Sequence, residues 1–414
     1  MGSRLTRHRD FMLLWSGQAV SQAGSQVTIL ALPLVAIVIL KATTFEVGLL
    51  SAATTSAYLL VALPVGVLAD RVSKRRLVLV SNLAQLAVIG SVPLADAAGV
   101  LTLGQMYAVA LTASVFSVLF SVSYTSYLPS VVGEDRLVEA NGKLSTTQSL
   151  AQLAGPGLGA LLVGLSSAAR AMTADALSYL VSAACMLMIR SREPAIVAPP
   201  RRQPLRGQIA DGLRYVLRDP ILRKAVAWSG TANFFVIMVE TLGPVFLVRT
   251  VHLHAAYVGV LLALGAVGGV AGGMLSGPLS RRFGSARMAW LSMTVVSLPG
   301  LLIPLARPGA WTLLFAVGWM SWTFGSTLCG VALTSYQQAT CPAEMRGRVA
   351  ATSRWINWGT LPVGGLACGV LGSVLGVRAT LWLAVMGGCC SGLWLYFSPL
   401  RNMRDIPTVS AAAA

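Results

Sequence analysis

The sequence predicts an all-α integral membrane protein of twelve transmembrane helices in two pseudo-symmetric bundles of six. Three observations predict it: a composition too apolar for water, basic residues gathered on one side, and a second half that repeats the first. Of 414 residues, 55% are hydrophobic and 11% charged, against about 25% charged in a soluble domain. A hydrocarbon core of about 30 Å takes roughly 20 apolar residues per helix, so twelve spans use about 250 residues and leave short loops.

Apolar runs place helices at 11–38, 45–68, 77–97, 103–125, 145–167, 171–190, 224–249, 257–279, 287–305, 311–334, 351–376 and 379–398. Brief charged or Gly/Pro-containing stretches such as KATTFE, DRVSKRR, GEDRLVE and RPGA separate them. Only 191–223 is a substantial loop: REPAIVAPPRRQPLRGQ reads as a linker, and IADGLRYVLRDP as an amphipathic interfacial helix. The expected organisation is therefore an N-terminal bundle at 1–190, a cytoplasmic linker with its amphipathic helix at 191–223, a C-terminal bundle at 224–400 and a cytoplasmic tail at 401–414.

With both termini inside, 26 of the 31 Lys and Arg fall on the cytoplasmic side, and only Lys41, Arg170, Arg249, Arg307 and Arg378 fall outside. This asymmetry obeys the positive-inside rule and would collapse if one helix near the middle were missed. It also accounts for the net charge of +17, which faces anionic headgroups of a bacterial inner membrane rather than nucleic acid. The start, MGSRLTRHRD, precedes an apolar run too long for a signal peptide and containing Gln18, Gln22 and Gln26, so it reads as an uncleaved first helix. The six cysteines form no CxxC pair and have no neighbouring His, so neither a metal site nor a redox pair is expected.

The halves repeat. GVLADRVSKRR (66–76) returns 211 residues later as GPLSRRFGSAR (277–287). YLPSVVGEDRLVEAN is echoed by QATCPAEMRGRVA, and AGPGLGALLVG by GTLPVGGLACG. Such a tandem duplication puts a pathway between two bundles. The loop pattern of Gly66, Asp70, Arg71, Lys74, Arg75 and Arg76, with Ser73 in place of a second Gly, resembles the signature of the major facilitator superfamily. Together with LPSVVGEDRLVEAN, AGPGLGALL and EMRGRV, it is similar to the branch of siderophore exporters and macrolide efflux proteins. The resemblance implies alternating-access secondary transport driven by a proton gradient, no cofactor, a small-molecule substrate, lipid surroundings and a monomer. Gly155, Pro156 and Gly159 resemble the fifth-helix motif of antiporters in that family.

Asp70 ends the second predicted helix, where the dipole disfavours an anion by about 0.3–1 kcal/mol, so it needs an outside partner. The resemblance suggests the start of the eleventh helix, near Arg348 to Ser353, as one side of a conformational latch that also includes Gly66, Arg71 and Arg75. Otherwise these basic residues only set topology. In the second copy Arg281, followed by Arg282, takes the place of Asp70, where a cation suits the dipole.

Ionisable groups within spans are costly, about 2.5–3.5 kcal/mol at a helix centre, and each needs a reason. Two acids qualify. Glu240, deep in the seventh predicted helix, is a proton carrier, a binder of cationic substrate, or a neutral carboxyl hydrogen-bonded to a neighbour. Asp175, near one end of the sixth, caps its helix, pairs with Arg170, sits in an outer gate, or joins Glu240 as a proton-coupling or substrate residue. Gln18, Ser21, Gln22 and Ser25 share one face of the first helix and either line a cavity or join helices. Relatives often have an acid where Ser25 stands, which shifts a proton role towards Glu240.

Ser114, Ser117, Ser121 and Tyr124 repeat that pattern on the fourth helix. Asn233 and Phe234 accompany Glu240 as cavity candidates, and Trp322 with Phe234 or Phe235 makes either an apolar wall or core packing. The LGAVGGVAGGMLSG run presents small residues for close helix approach. His252 and His254 lie in a loop. The chain contains no GxxxxGK[ST] and no HExxH, and its histidines are remote from any nucleophile, so it is not expected to be an enzyme. The expected function is proton-coupled export of a small organic, amphipathic compound such as a drug, macrolide or siderophore. An importer or uncoupled facilitator, or a non-transporting receptor, is the alternative.

Overall fold

A computed structural model describes residues 5, 8–61, 65, 72–133, 136–191, 205–341 and 346–406. The regular structure among them is helical, because a backbone in hydrocarbon must satisfy its polar groups within its own segment. In chain order the helices are α1 (Arg9–Leu34), α2 (Thr44–Leu60), α3 (Lys74–Ala97), α4 (Leu103–Val132), α5 (Leu137–Leu165) and α6 (Ala168–Met188). There follow α7 (Leu205–Arg218), α8 (Pro220–Arg249), α9 (Ala255–Phe283), α10 (Ser285–Leu291), α11 (Leu313–Thr340), α12 (Arg346–Val374), α13 (Val377–Ser391) and the single turn α14 (Leu393–Tyr396).

Nine described segments are long and apolar enough to cross a membrane. Adding α2, which is short, and α5 and α12, whose first turns are polar, gives twelve.

Local chemistry sets the helix starts. The Glu46 amide donates to Thr43 Oγ1 at 3.3 Å while the Thr43 amide donates to the Glu46 carboxylate at 2.6 Å, a reciprocal cap on α2. Thr102 and Ser167 cap α4 and α6 in the simpler one-bond form. Asp219, followed by Pro220, accepts from the amides of Ile221 and Leu222 at 2.8 and 2.9 Å and from the Tyr336 hydroxyl at 3.0 Å.

Several boundaries differ from the apolar runs. α5 begins at Leu137 and α12 at Arg346 rather than at 145 and 351, because helical hydrogen bonding continues through polar turns that hydropathy does not register. In α5 the extra turns carry a Glu139–Lys143 ion pair at 3.7 Å.

The run expected as a helix over 287–305 is not one α-helix. After α10 it widens into a π-turn at Ser292–Val296 and tightens into a 3₁₀ segment at Leu298–Leu305. Pro299 and Pro304 supply no amide donor, which removes the regular i→i−4 ladder there.

The chain divides into two compact units, Met1–Pro200 with Ala255–Val260, and Arg201–His254 with Leu261–Ala414. Within the first, α1 packs on α5 and α6, and α3 on α4 and α6. Within the second, α8 packs on α12 and α13, and the 3₁₀ segment on α11 and α13. In each, the first span touches the fifth and sixth, and the third touches the fourth and sixth, so the sequence repeat is also a packing repeat.

Phe11, Tyr127, Met186 and Ile189 are buried in one unit, and Trp228, Met293, Leu328 and Leu333 in the other. Leu94, Leu165, Met274 and Val374 are instead exposed, a distribution that suits contact with acyl chains. Helix α7 starts four residues before the expected amphipathic segment. Its Val216 is buried with Cys341 and Val349, while Leu213 and Leu217 stay exposed.

Replacing Asp219 with Ala removes acceptors from two amides and a phenol, and is expected to cost about 2 kcal/mol, the upper end for an N-cap. Thermal unfolding of the purified protein in detergent should show a larger drop for Asp219→Ala than for Thr102→Ala, whose cap accepts one amide.

Candidate functional site

In the first unit α1 and α6 approach closely because glycines leave room. A Cβ on Gly24 would lie 2.3 Å from Ser178 Oγ and 2.9 Å from Asp175 Oδ1, and one on Gly17 would lie 3.1 Å from Cys185 Cβ. Against that gap stands a layer of hydroxyls around Asp175, whose side chain is only 1% exposed. The Ser25 hydroxyl lies 3.5 Å from Asp175 Oδ1 and 2.9 Å from the Tyr179 hydroxyl. Ser178 Oγ lies 3.2 Å from Asp175 Oδ1 and donates to the Asp175 carbonyl at 2.7 Å. Asp175 Oδ2 is buried with no hydrogen-bond partner among the described residues, as is Thr28 Oγ1, one helical turn beyond Ser25.

Asp175 therefore neither caps its helix, which Ser167 does, nor pairs with Arg170, which is exposed. It meets Ser25 across the gap between α1 and α6. Sequence reasoning named both residues separately and missed Thr28, Ser178 and Tyr179. Their signal was present as i+3 and i+4 spacing from Ser25 and Asp175.

The polar stripe of α1 divides. Ser21 is buried on the α6 side, whereas Gln18, Gln22 and Ser25 are half-buried on the arc between α6 and α5. On α4, Ser121 is exposed and Ser117 half-buried, but Ser114 and Tyr124 are buried. Tyr124 stacks on Phe120 at 5.4 Å, and although mostly buried it lines, with Phe120, Gly17, Ser182 and Cys185, a small cavity within the unit.

The fifth-helix motif has a steric role here. A Cβ on Gly155 would lie 2.3 Å from Gln26 Cβ, and one on Gly159 would lie 3.1 Å from Leu30 Cδ2, so these glycines let α5, which contains Pro156, cross α1.

In the second unit every residue of α8 from Ile237 to Leu247 is buried except Glu240, which is exposed. No hydrogen bond or ion pair joins its carboxylate to a described residue, so it is not a carboxyl tied to a neighbouring helix among them. Asn233, two turns earlier on the same face, is half-buried and donates to the Asn357 carbonyl at 3.1 Å.

Phe234 is half-buried, packed edge-to-face on Phe235, whose ring occupies the space beside Gly387. Trp322 does not join them as a wall. It is 2% exposed, wedged against Gly300 and Gly388, so it belongs to the core. The small-residue face of α9 meets α11, where a Cβ on Gly268 would lie 1.9 Å from the Met320 carbonyl oxygen.

Of the proposed latch, Gly66, Asp70 and Arg71 lie outside the described residues, as does the side chain of Arg348. Arg75 donates to the carbonyls of Met186 and Leu187 at 3.4 and 3.1 Å, which holds the end of α6. Arg281 and Arg282 are exposed in the last turn of α9, Arg282 lying 5.5 Å from the Phe283 ring centre. No cluster of metal-ligating side chains occurs among the described residues.

A sequence model described as Major Facilitator Superfamily matches residues 14–357. The chain belongs to this superfamily. Its members are transporters, not enzymes, in keeping with the helical architecture.

Among its superfamily relatives, the enterobactin exporter EntS of Citrobacter koseri is 25% identical, covering 99% of this chain and 97% of that protein. The multidrug efflux pump Tap of Mycolicibacterium fortuitum is 22% identical over 97% and 98%. Among solved structures, the nucleoside transporter NupG superposes with a TM-score of 0.75 at 11% identity, covering 93% of this chain and 98% of NupG. A bacterial homologue of the iron transporter ferroportin in an inward-facing state gives 0.74 at 15%, covering 95% and 98%. At these identities the two structures speak for the fold alone.

Gly155→Ala is expected to destabilise the protein by about 1–3 kcal/mol through overpacking on Gln26. Gly157→Ala, whose Cβ would meet nothing within 4 Å, should leave the melting temperature in detergent unchanged or slightly raised.

Proposed function

We propose that this superfamily transporter is a proton-coupled exporter of a small organic, amphipathic compound. It works by alternating access in a bacterial inner membrane with both termini cytoplasmic. The observation that carries the reading is Glu240: a carboxylate open to its surroundings within an otherwise packed stretch of a membrane helix. A charge there costs several kcal/mol unless it meets water, a proton or a cation, and a residue serving packing alone would not bear that cost. Glu240 and Asn233 offer an acceptor and an amide on one face of α8, with Phe234 half-buried beside them. That combination suits an amphipathic solute bearing a cation or hydrogen-bond donors.

The direction of transport draws support from the relatives, one an enterobactin exporter and one a multidrug efflux pump. The cytoplasmic placement of the termini draws support from the 26 to 5 split of basic residues. In the latch that the loop motif implies, Asp70 would supply the charge, with Arg75 fixing the neighbouring end of α6.

The test is transport by purified protein in proteoliposomes under an imposed pH gradient, with ethidium as an amphipathic cation and a catecholate siderophore as the second probe. Wild-type protein should move one of them against its gradient with proton counterflow. Glu240→Gln should lower the rate at least tenfold, the equivalent of about 1.4 kcal/mol. Equal rates with the gradient collapsed, or an unaffected Glu240→Gln variant, would overturn the coupling.

A further inference from the structure

We infer that Asp175, with Ser25, Thr28, Ser178 and Tyr179, forms a second proton-binding site, enclosed between α1 and α6 and distinct from the accessible acid of α8. The inference takes its purpose from the transport reading above, but its chemistry stands on the cluster.

A carboxylate buried away from water is sustained only by a partner that neutralises it. Asp175 receives no cation and no backbone amide among the described residues, and its neighbours are all neutral hydroxyls. One carboxylate oxygen, Oδ2, has no partner within 3.5 Å, and the group placed to meet it is the Thr28 hydroxyl on the facing helix, which also has none that close. A proton on Oδ2 removes the charge and turns that oxygen into a donor, while Thr28 Oγ1 retains the capacity to accept. Protonation forms one O–H bond and consumes one proton from the aqueous phase; release returns it, with no other bond changed.

The ionisable groups on the packed elements leave the site isolated. α1 offers only Arg9 and Asp10, at its start. α3 offers Lys74, Arg75 and Arg76 at one end and Asp96 at the other, and at the level of the cluster it presents Gly90 to Ala176. α5 offers Glu139 and Lys143, also in its first turns, and α6 itself offers Arg170, Tyr179 and Cys185. Of these, only Tyr179 bonds into the cluster.

A metal cation does not suit the site. Hard cations take about six oxygens, in transporters often from unwound backbone. Here both helices run through without a break, so their carbonyls are already engaged. The Gly24 contact shows a gap closed to the width of a hydrogen-bonded layer. A proton needs no such room. Ser25 and Thr28 of α1 are half-buried whereas Asp175, Ser178 and Tyr179 of α6 are buried, so the proton passes on the α1 side, and no organic solute follows it.

The test reads the carboxyl directly and needs no substrate. Purified full-length protein in vesicles is titrated from alkaline to acid pH by difference infrared spectroscopy, with choline chloride or sodium chloride as the salt. Beside the protonated-carboxyl absorption of the exposed acids, which titrate at about pH 4, a band component protonating at higher pH should appear in wild type, persist in Glu240→Gln, be missing in Asp175→Asn and be the same in both salts. An unchanged band in Asp175→Asn overturns the site, and loss of the band in sodium overturns its assignment to a proton. Should Asp175→Asn fail to give monodisperse protein, Ser25→Ala and Tyr179→Phe decide. Both keep the carboxyl and disturb its hydroxyl partners, and the band should move to higher frequency; a band fixed in both overturns the inference. Wild type that shows the band yet exchanges no protons with ethidium or siderophore fails the coupling reading alone. Wild type that couples transport to protons without the band fails this inference alone.

Discussion

Hydrocarbon offers no hydrogen bonds, and nearly every feature of this molecule answers to that constraint. It restricts the regular structure of the described chain to helices and favours neighbours for buried hydroxyls and amides. Asn82 donates to Ser182 at 3.0 Å, Thr323 to the Gly265 carbonyl at 2.7 Å, and Asn233 to the Asn357 carbonyl at 3.1 Å. Such bonds form only where axes come close. The glycines at positions 24, 155, 268 and 388 are consequently part of the polar architecture rather than separate from it. Where a glycine faces a hydroxyl, as Gly24 faces Ser178, the close approach and the hydrogen-bonded layer form a single design.

The two acids are departures from this rule, and they depart in opposite ways. Glu240 is reachable from outside its own unit's packing, while Asp175 is sealed beneath a serine. Large solutes and protons differ in size by far more than they differ in charge. Under the proposed proton coupling, a carrier binding both gains by keeping one carboxyl open and another closed. The halves resemble one another in pairing, yet each has its acid on a different span, the first of one repeat and the sixth of the other. Symmetry thus governs the scaffold and not the chemistry placed on it.

Much of this was legible in the sequence, because hydropathy and charge asymmetry report on the bilayer directly. The twelve spans and the repeat at 211 residues need only the chain, and both acids stand out as charges in apolar runs. Neighbours are a different matter. The helical period says which residues share a face with Asp175, but not that Ser25 lies opposite, since that depends on how α1 and α6 cross. Trp322 looks alike in sequence to Tyr124, yet packing shows it to be core whereas Tyr124 lines a small cavity. The starts of α5 and α12 were obscured because polar turns extend a helix without extending its hydrophobic stretch.

The interrupted stretch at Leu298–Leu305 bears on how the second half is made. With two prolines and 3₁₀ geometry, it cannot close its own hydrogen-bond ladder, and its flanks borrow donors from later in the chain. Ser321 of α11 donates to the Val296 carbonyl, and the Cys389 thiol of α13 lies 3.8 Å from the Ser297 carbonyl. Those donors are synthesised after the segment that depends on them. The Ser297 carbonyl also accepts from the Gly300 amide, so it is the Val296 carbonyl that must stay with water or translocon until α11 arrives beside it. The second half therefore matures as a cooperative group rather than as helices inserted one by one.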